Sequence, residues 1–229
     1  MDNFNRDVLL VNDMDEVIGI GKALKTHFRE HLALHRAFSV FLFNSRGELL
    51  IQRRASRKLL FPSRWTNSVC SHPFACDLSF TDPLLDVKMH AIKRVDYELG
   101  IKDVCIDDLR FVSRIVYKAA PNEKYGRILP GNPTPQDVSR FPDPKNLDEP
   151  YSSSDFHEWE IDYIVLGVSD TPPSPNPDEV SETRYVSKEE FQELVAHDSV
   201  SPWLNEISKL IDVFDIKKLY FPPHPRENP

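Results

Sequence analysis

Two short stretches of the chain combine residue types that do chemistry. "TNSVCSHP" (66–73) sets Cys70 two positions before His72, and "FHEWEID" (156–162) alternates Glu158, Glu160 and Asp162 with Trp159 and Ile161. On a strand those carboxylates share one face, and Trp159, Ile161 and Tyr163 share the other, core-facing one. Three neighbouring carboxylates repel one another; a bound cation relieves that, and so does exposure to water. His27, His35 and His72 each stand beside an expected strand or turn near the start of the sheet. Neutral imidazoles with carboxylates suit Zn²⁺, Mn²⁺ or Mg²⁺, and three histidines favour a borderline metal. Spacing alone does not separate ligands from bystanders; His31, His90 and His197 are read as surface or satisfied core residues. Cys70 is read three ways: as a metal ligand, as a catalytic thiol, or as a small buried side chain.

A basic cluster, "RRASRK", places Arg53, Arg54, Arg57 and Lys58 directly after a strand. It reads as a solvated turn or as a phosphate clamp, because Arg donates in pairs and Lys acts as a point charge. With a net charge of −8 over 229 residues, the chain disfavours a broad nucleic-acid surface, so an anion needs such a local patch. Glu98, in the last turn of a helix, faces the negative end of the helix dipole. Arg94 one turn earlier would satisfy it, and so would a bound cation. The composition is that of a soluble globular protein, and no apolar run approaches the ~20 residues of a membrane helix. Three cysteines exclude a full disulfide framework. "MDNFNRDVLL" has no signal-peptide pattern and "PRENP" no obvious address, so a cytoplasmic location is expected, with a peroxisomal one left open.

The elements that must position these residues follow from periodicity. "HRAFSVFLFNSRGELLIQRRA" predicts two strands around a turn at Asn44–Gly47, with Phe38, Val40 and Leu42 on one face and Leu49 and Ile51 resuming the alternation. "TDPLLDVKMHAIKRVDYELGI" predicts a helix, capped by Thr81 or Asp82, with Pro83 in its first turn, Gly100 at its stop, and Leu85, Met89, Ile92, Asp96 and Leu99 on one stripe. Strands are expected at about Phe111–Ala119 and Phe156–Val168, a helix from Ser187 with Glu190 in a capping box, and a last helix at about Trp203–Ile216. Seven prolines fall between Pro121 and Pro150. That composition predicts neither ladder nor helix there, only a loop insertion (about 121–155) joining two paired strands. The order suits one α/β (α+β) domain over 1–229, a mixed sheet sandwiched by helices.

Taken in order, "LHRAFSVFLFN", "QRRASRKLLFP", "WTNSVCSHP", "YELGI", "RIVYKA", "HEWEIDYI" and "SPW" resemble the type I isopentenyl-diphosphate isomerases, whose fold is Nudix-like. The resemblance runs from about Val11 to Trp203, the Pro-rich segment apart. It implies conversion of isopentenyl diphosphate to dimethylallyl diphosphate through a tertiary carbocation, in isoprenoid biosynthesis. By the resemblance, Cys70 is the catalytic thiol, Glu160 the opposing acid/base and Tyr117 a tyrosine beside it. His27, His35, His72, Glu158 and Glu160 match metal ligands, with Zn²⁺ or Mn²⁺ as candidate ions. Glu98 matches the group holding a second ion, Mg²⁺, that bridges to the diphosphate. Arg54 and Lys58 match diphosphate contacts, with Arg53 close by, and Trp203 matches a tryptophan over the isoprenoid pocket. Two features depart from the family. Its usual lysine about one turn before the first metal histidine has no clean match, Lys22 and Lys25 flanking that register, and the Tyr117-to-Glu158 connection is longer than usual. A Nudix hydrolase is the rival in the same fold, but "KRVDYELGI" sets Arg94 and Tyr97 where that box needs carboxylates. A non-catalytic diphosphate-binding module would need neither Cys70 nor Glu160. The expected partner is a small molecule, isopentenyl diphosphate, with no nucleic acid and no membrane; the sequence leaves the oligomeric state open, a monomer being the default expectation.

Overall fold

The computed structural model describes residues 5–78, 82–120, 123–134, 156–197 and 200–222. The strands are β1 Asp7–Val11, β2 Val17–Lys22, β3 His35–Phe43, β4 Leu49–Arg54, β5 Trp65–Thr66, β6 Val69–Ser71, β7 Arg110–Ala120, β8 Glu123–Leu129, β9 Glu158–Val168 and β10 Val180–Val186. The helices are α1 Ala23–His27, α2 Pro83–Leu99, α3 Lys188–Ala196, α4 Pro202–Leu210 and α5 Val213–Tyr220. All ten strands join one mixed sheet whose main path runs β10-β4-β3-β9-β7-β8. β3 and β9 are parallel; β9 and β7 are antiparallel.

Both faces of the central strands are buried. Phe38, Val40, Leu50, Ile161, Tyr163 and Val165 pack against Val87, Ala91, Val95 and Leu99 of α2. Phe41, Phe43, Leu49, Ile51, Tyr117 and Leu166 pack against Phe191, Trp203, Leu204, Ile207 and Phe214 of α3–α5. The sheet is thus sandwiched by helices, as its α+β patterning predicts.

Several local expectations hold and several are corrected. Asp82 caps α2, its side chain accepting from Leu84 N–H, and Gly100 ends it at φ 67°. The buried stripe of α2 is not the expected one: it carries Val87, Ala91, Val95 and Leu99, and Asp96 is exposed. Val87, Ala91, Val95 and Leu99 recur every four residues and bury an unbroken apolar row, which a stripe through Asp96 would interrupt with a carboxylate. The expected hairpin pairs only beside its turn, Phe43 with Leu49. Beyond that, β4 pairs with β5 and β10, and β3 with β6 and β9. The last helix is broken at Asp212, whose side chain accepts from Phe214 and Asp215 N–H and starts α5. The Pro-rich stretch does form a ladder: β8 pairs with β7 along Glu123–Leu129. Its prolines, Pro121 and Pro130, stand outside that run, so none removes a ladder donor. Residues 135–155 of the expected insertion lie outside the described residues. β1 and β2 had no expectation; they form a ribbon whose turn holds Asp15 at φ 68°. No helix among the described residues is long and apolar enough to cross a membrane.

Candidate active site

Sheet register builds the first part of the site. Glu160 on β9 lies opposite His35 on β3 and opposite Tyr117 on β7, so three adjacent strands set these side chains side by side. Cys70 on β6 is in register with Ser39 on β3. The short helix α1 brings His27, and its carbonyl accepts from His157 N–H at 2.8 Å, which ties it to the start of β9.

His27, His35, His72 and Glu160 each offer one ligand atom, all within 4.8 Å of one another. Glu160 Oε1 lies 3.4 Å from His27 Nε2, 3.2 Å from His35 Nε2 and 2.9 Å from His72 Nε2. His27 and His35 turn their Nδ1 atoms to the carbonyls of Ala23 and Ala33, at 2.7 and 2.8 Å. Those carbonyls only accept, so Nδ1 carries the proton and each Nε2 lone pair of a neutral ring points inward. His35 Nε2 then faces His72 Nε2 at 3.3 Å and the Glu160 carboxylate as well. Acceptors converging on acceptors in a buried place need a cation, and this donor set suits a divalent ion. Glu158 stands at its edge, with Oε2 3.5 Å from His27 Nε2.

Without an ion, the cluster's electrostatics show the same demand. Burial disfavours the imidazolium of His27, but Glu158 and Glu160 outweigh it and raise its pKa to about 10. Burial lowers His72 to about 4, and burial with the His27 charge lowers His35. Burial and the Glu160 charge raise Glu158 to about 7. Burial pushes Glu160 up, yet His27, His35 and His72 gathered around its carboxylate hold it well below the carboxylate range. Tyr117 donates to Glu160 Oε2 at 2.5 Å, and burial beside two glutamates keeps its phenol protonated. Asp162, the third carboxylate of the strand, takes Ser39 Oγ at 2.8 Å; burial and Glu160 push its pKa well up. Solvent exposure is therefore not what relieves these three acids: they are 3%, 6% and 1% exposed.

A cavity of about 320 Å³ opens beside this cluster, lined among others by His27, His72, Glu158, Glu160, Cys70 and Trp203. Burial pushes the Cys70 thiol up, so it is protonated. The far wall is cationic: Arg54, Arg57, Lys58 and Arg94 all line the cavity. Arg54 lies 5.2 Å over the Trp203 ring and donates to the Leu60 and Phe61 carbonyls. Trp203 Nε1 is fixed on Asn67 at 2.9 Å.

Two expected contacts are not brought to the cavity. Arg53 is exposed, 3.8 Å from Glu182 and bonded to the Ser63 carbonyl, because side chains alternate along β4 and Arg54 takes the inward direction. Lys22 turns to Asp7 at 3.0 Å, and Ala23 lines the cavity instead. Glu98 stands behind the wall, satisfied by Arg94 Nε at 2.9 Å and Gln52 Nε2 at 2.8 Å. His31 and His197 are exposed, and His90 is a satisfied core residue between the Asp86 carbonyl and Phe74 N–H. Cys76 and Cys105 are exposed and free. Sequence reasoning missed Asp178 and Glu179, which line the cavity from the turn before β10. An isolated acidic pair before a strand carries no signal by itself. Arg94 was read only as a partner of Glu98.

This α+β fold gathers a cluster able to hold a metal ion, a thiol and four cations around one cavity, the make-up of a candidate enzyme site. Comparison with known proteins narrows this class. No protein-family model matches the chain. It is 37% identical over 199 residues to "Isopentenyl-diphosphate Delta-isomerase II, chloroplastic" of Arabidopsis thaliana, covering 84% of this chain and 59% of that protein. It is 36% identical to the Arabidopsis isomerase I, covering 87% and 63%. It is 34% identical to "Isopentenyl-diphosphate Delta-isomerase I" of Camptotheca acuminata, covering 84% and 72%. The chain belongs to the isopentenyl-diphosphate Delta-isomerase family. It spans 59% and 63% of the two Arabidopsis relatives' length. Among solved structures it shares its fold with DR0079 of Deinococcus radiodurans, at TM-score 0.53 and 19% identity, covering 90% of this chain and 99% of that one. A Nudix hydrolase of M. smegmatis, RenU, is matched at TM-score 0.43, 12% identity, covering 85% and 89%.

Proposed function

We propose that the protein converts isopentenyl diphosphate to dimethylallyl diphosphate by adding a proton at one end of the double bond and removing another from the neighbouring carbon. The observation that carries this is the joining in one cavity of two proton-exchanging groups, Cys70 and Glu160, with the cations Arg54, Lys58 and Arg94. Cys70 holds its proton on Sγ, and the protonated Tyr117 donates to the Glu160 carboxylate and fixes its position. The tertiary cation between the steps has no hydrogen-bonding atom; the face of Trp203 is the group suited to it, contributing ~2 kcal/mol when desolvated. Phe61, 5.8 Å edge-on from Trp203, helps keep water from that cation.

Held by His27, His35, His72, Glu160 and Glu158, a Zn²⁺ or Mn²⁺ ion would supply a fixed positive charge against which the two glutamates are neutralised. A Mg²⁺ that arrives with the diphosphate would reach Glu98 only past Arg94 and Gln52, to which the Glu98 oxygens are hydrogen-bonded.

The test is incubation with isopentenyl diphosphate and magnesium in deuterated water. An isomerase places solvent deuterium in the new methyl group and releases no phosphate. A hydrolase releases phosphate and leaves the double bond unmoved, and that result sinks the proposal.

A further inference from the structure

The cationic wall contains an anion of its own. Glu179 lines the cavity and pairs with Lys58 Nζ, and Arg94 Nη2 lies 3.5 Å from the same carboxylate oxygen. Its residue is 9% exposed, and its backbone carbonyl accepts from Ala55 N–H at 2.9 Å, which fixes the turn. Burial alone would raise its carboxyl, but Lys58 and Arg94 hold it below the ordinary value. Two of the four cations that line the cavity are therefore already engaged by this one carboxylate. Arg57 is engaged by Asp178 at 2.6 Å, and Arg94 also by Glu98. Three carboxylates, Asp178, Glu179 and Glu98, therefore stand against the four cations, while Arg54 bonds the Leu60 and Phe61 carbonyls, which cancel no charge, so the wall keeps only a small positive excess.

Resting on the proposed diphosphate-binding role of this wall, we propose that Glu179 is a positioning and selectivity residue. It holds Lys58 and Arg94 aimed into the cavity and makes the wall prefer a diphosphate that carries a divalent cation over the bare anion. A bare diphosphate carries several negative charges and would meet Lys58 and Arg94 with the Glu179 carboxylate between them. Like charges that close repel strongly in a partly buried place. A diphosphate already partnered by Mg²⁺ has most of that charge cancelled and offers Glu179 a cation in return. An internal carboxylate therefore penalises one form of the ligand and spares the other, which is specificity by repulsion.

The test is calorimetric titration of inorganic diphosphate, with and without magnesium at constant ionic strength, into the wild-type protein, E179Q and E179D. Magnesium should tighten wild-type binding. E179Q should bind metal-free diphosphate at least about tenfold tighter than wild type, with the magnesium enhancement reduced by a similar factor, on the scale of a close charge pair. E179D keeps the charge and should keep the enhancement. An unchanged enhancement in E179Q overturns the Glu179 role and leaves the proposed function standing. Equal loss of the enhancement in E179Q and E179D overturns it too, because packing would then be the cause. A wild-type protein that binds diphosphate in neither condition overturns the reading of the wall itself.

Discussion

Replacing Asp15 with Asn removes one charge from a fully enclosed cluster beneath the site. Asp15 is 2% exposed; it accepts from Arg36 Nε at 2.9 Å and Arg114 Nη1 at 2.6 Å, and from the Tyr163 hydroxyl. Arg36 directly follows His35 on β3, Arg114 lies three residues before Tyr117 on β7, and Tyr163 lies three residues after Glu160 on β9, odd separations that turn each pair to opposite faces. The cluster therefore clamps, from the opposite face, the three strands that carry His35, Tyr117 and Glu160. Asn tolerates the positive φ of this position as well as Asp does, so Asp15→Asn tests charge and leaves the backbone alone. Breaking a buried ion pair by removing one partner costs about 3–5 kcal/mol. For a chain of this length that lowers Tm by roughly 6–20 °C, at about 2–4 °C per kcal/mol. Urea unfolding of the metal-free protein measures the loss directly, and a metal titration of the folded variant should show weaker binding as the ligand strands loosen. A variant within about 1 kcal/mol of wild type, the usual worth of a surface pair, would refute the claim that this cluster holds the strands.

Cys70→Ala and Glu160→Gln should each lower turnover by at least ~100-fold, the low end for a proton-transfer group, and near-normal turnover in either would remove it from the chemistry. Because His27 is protonated in the ion-free cluster, with a pKa of about 10, Zn²⁺ uptake at pH 8 should release about one proton into a weakly buffered solution. Affinity should then fall as pH falls through about 10, where the His27 proton competes with the ion, with His35 and His72 adding competition only at lower pH because both are held below the ordinary imidazole value, and pH-independent binding would contradict the ligand set. Replacing residues 135–155 with a short Gly/Ser linker should leave Tm within a few degrees, whereas also deleting β8 should destabilise the fold, since Gly126 packs against Leu210 and Glu206 of α4. Equal Tm values for the two constructions would show that β8 is not part of the core.

The chemistry-bearing residues were legible in the chain because local rules govern them. Alternation along "HEWEID" set Glu158, Glu160 and Asp162 on one face, and the turn and capping residues around Asp82, Gly100 and Ser187 marked their helices. The motif order marked the family. Whether those carboxylates were wet or buried was not legible, because alternation fixes a side chain's direction and not what covers it. Only the arrival of His27, His72, Ser39 and Tyr117 from other segments around those carboxylates decided it. In the same way "RRASRK" announced a basic cluster, but the pleat of β4 turned Arg54 inward and Arg53 outward, and the turn before β10 supplied Glu179 from 121 residues away to meet Lys58. Asp15, Arg36, Arg114 and Tyr163 had no spacing to connect them. Their association comes from four separate segments closing on one buried charge, and contacts of that kind exist only once the sheet has formed.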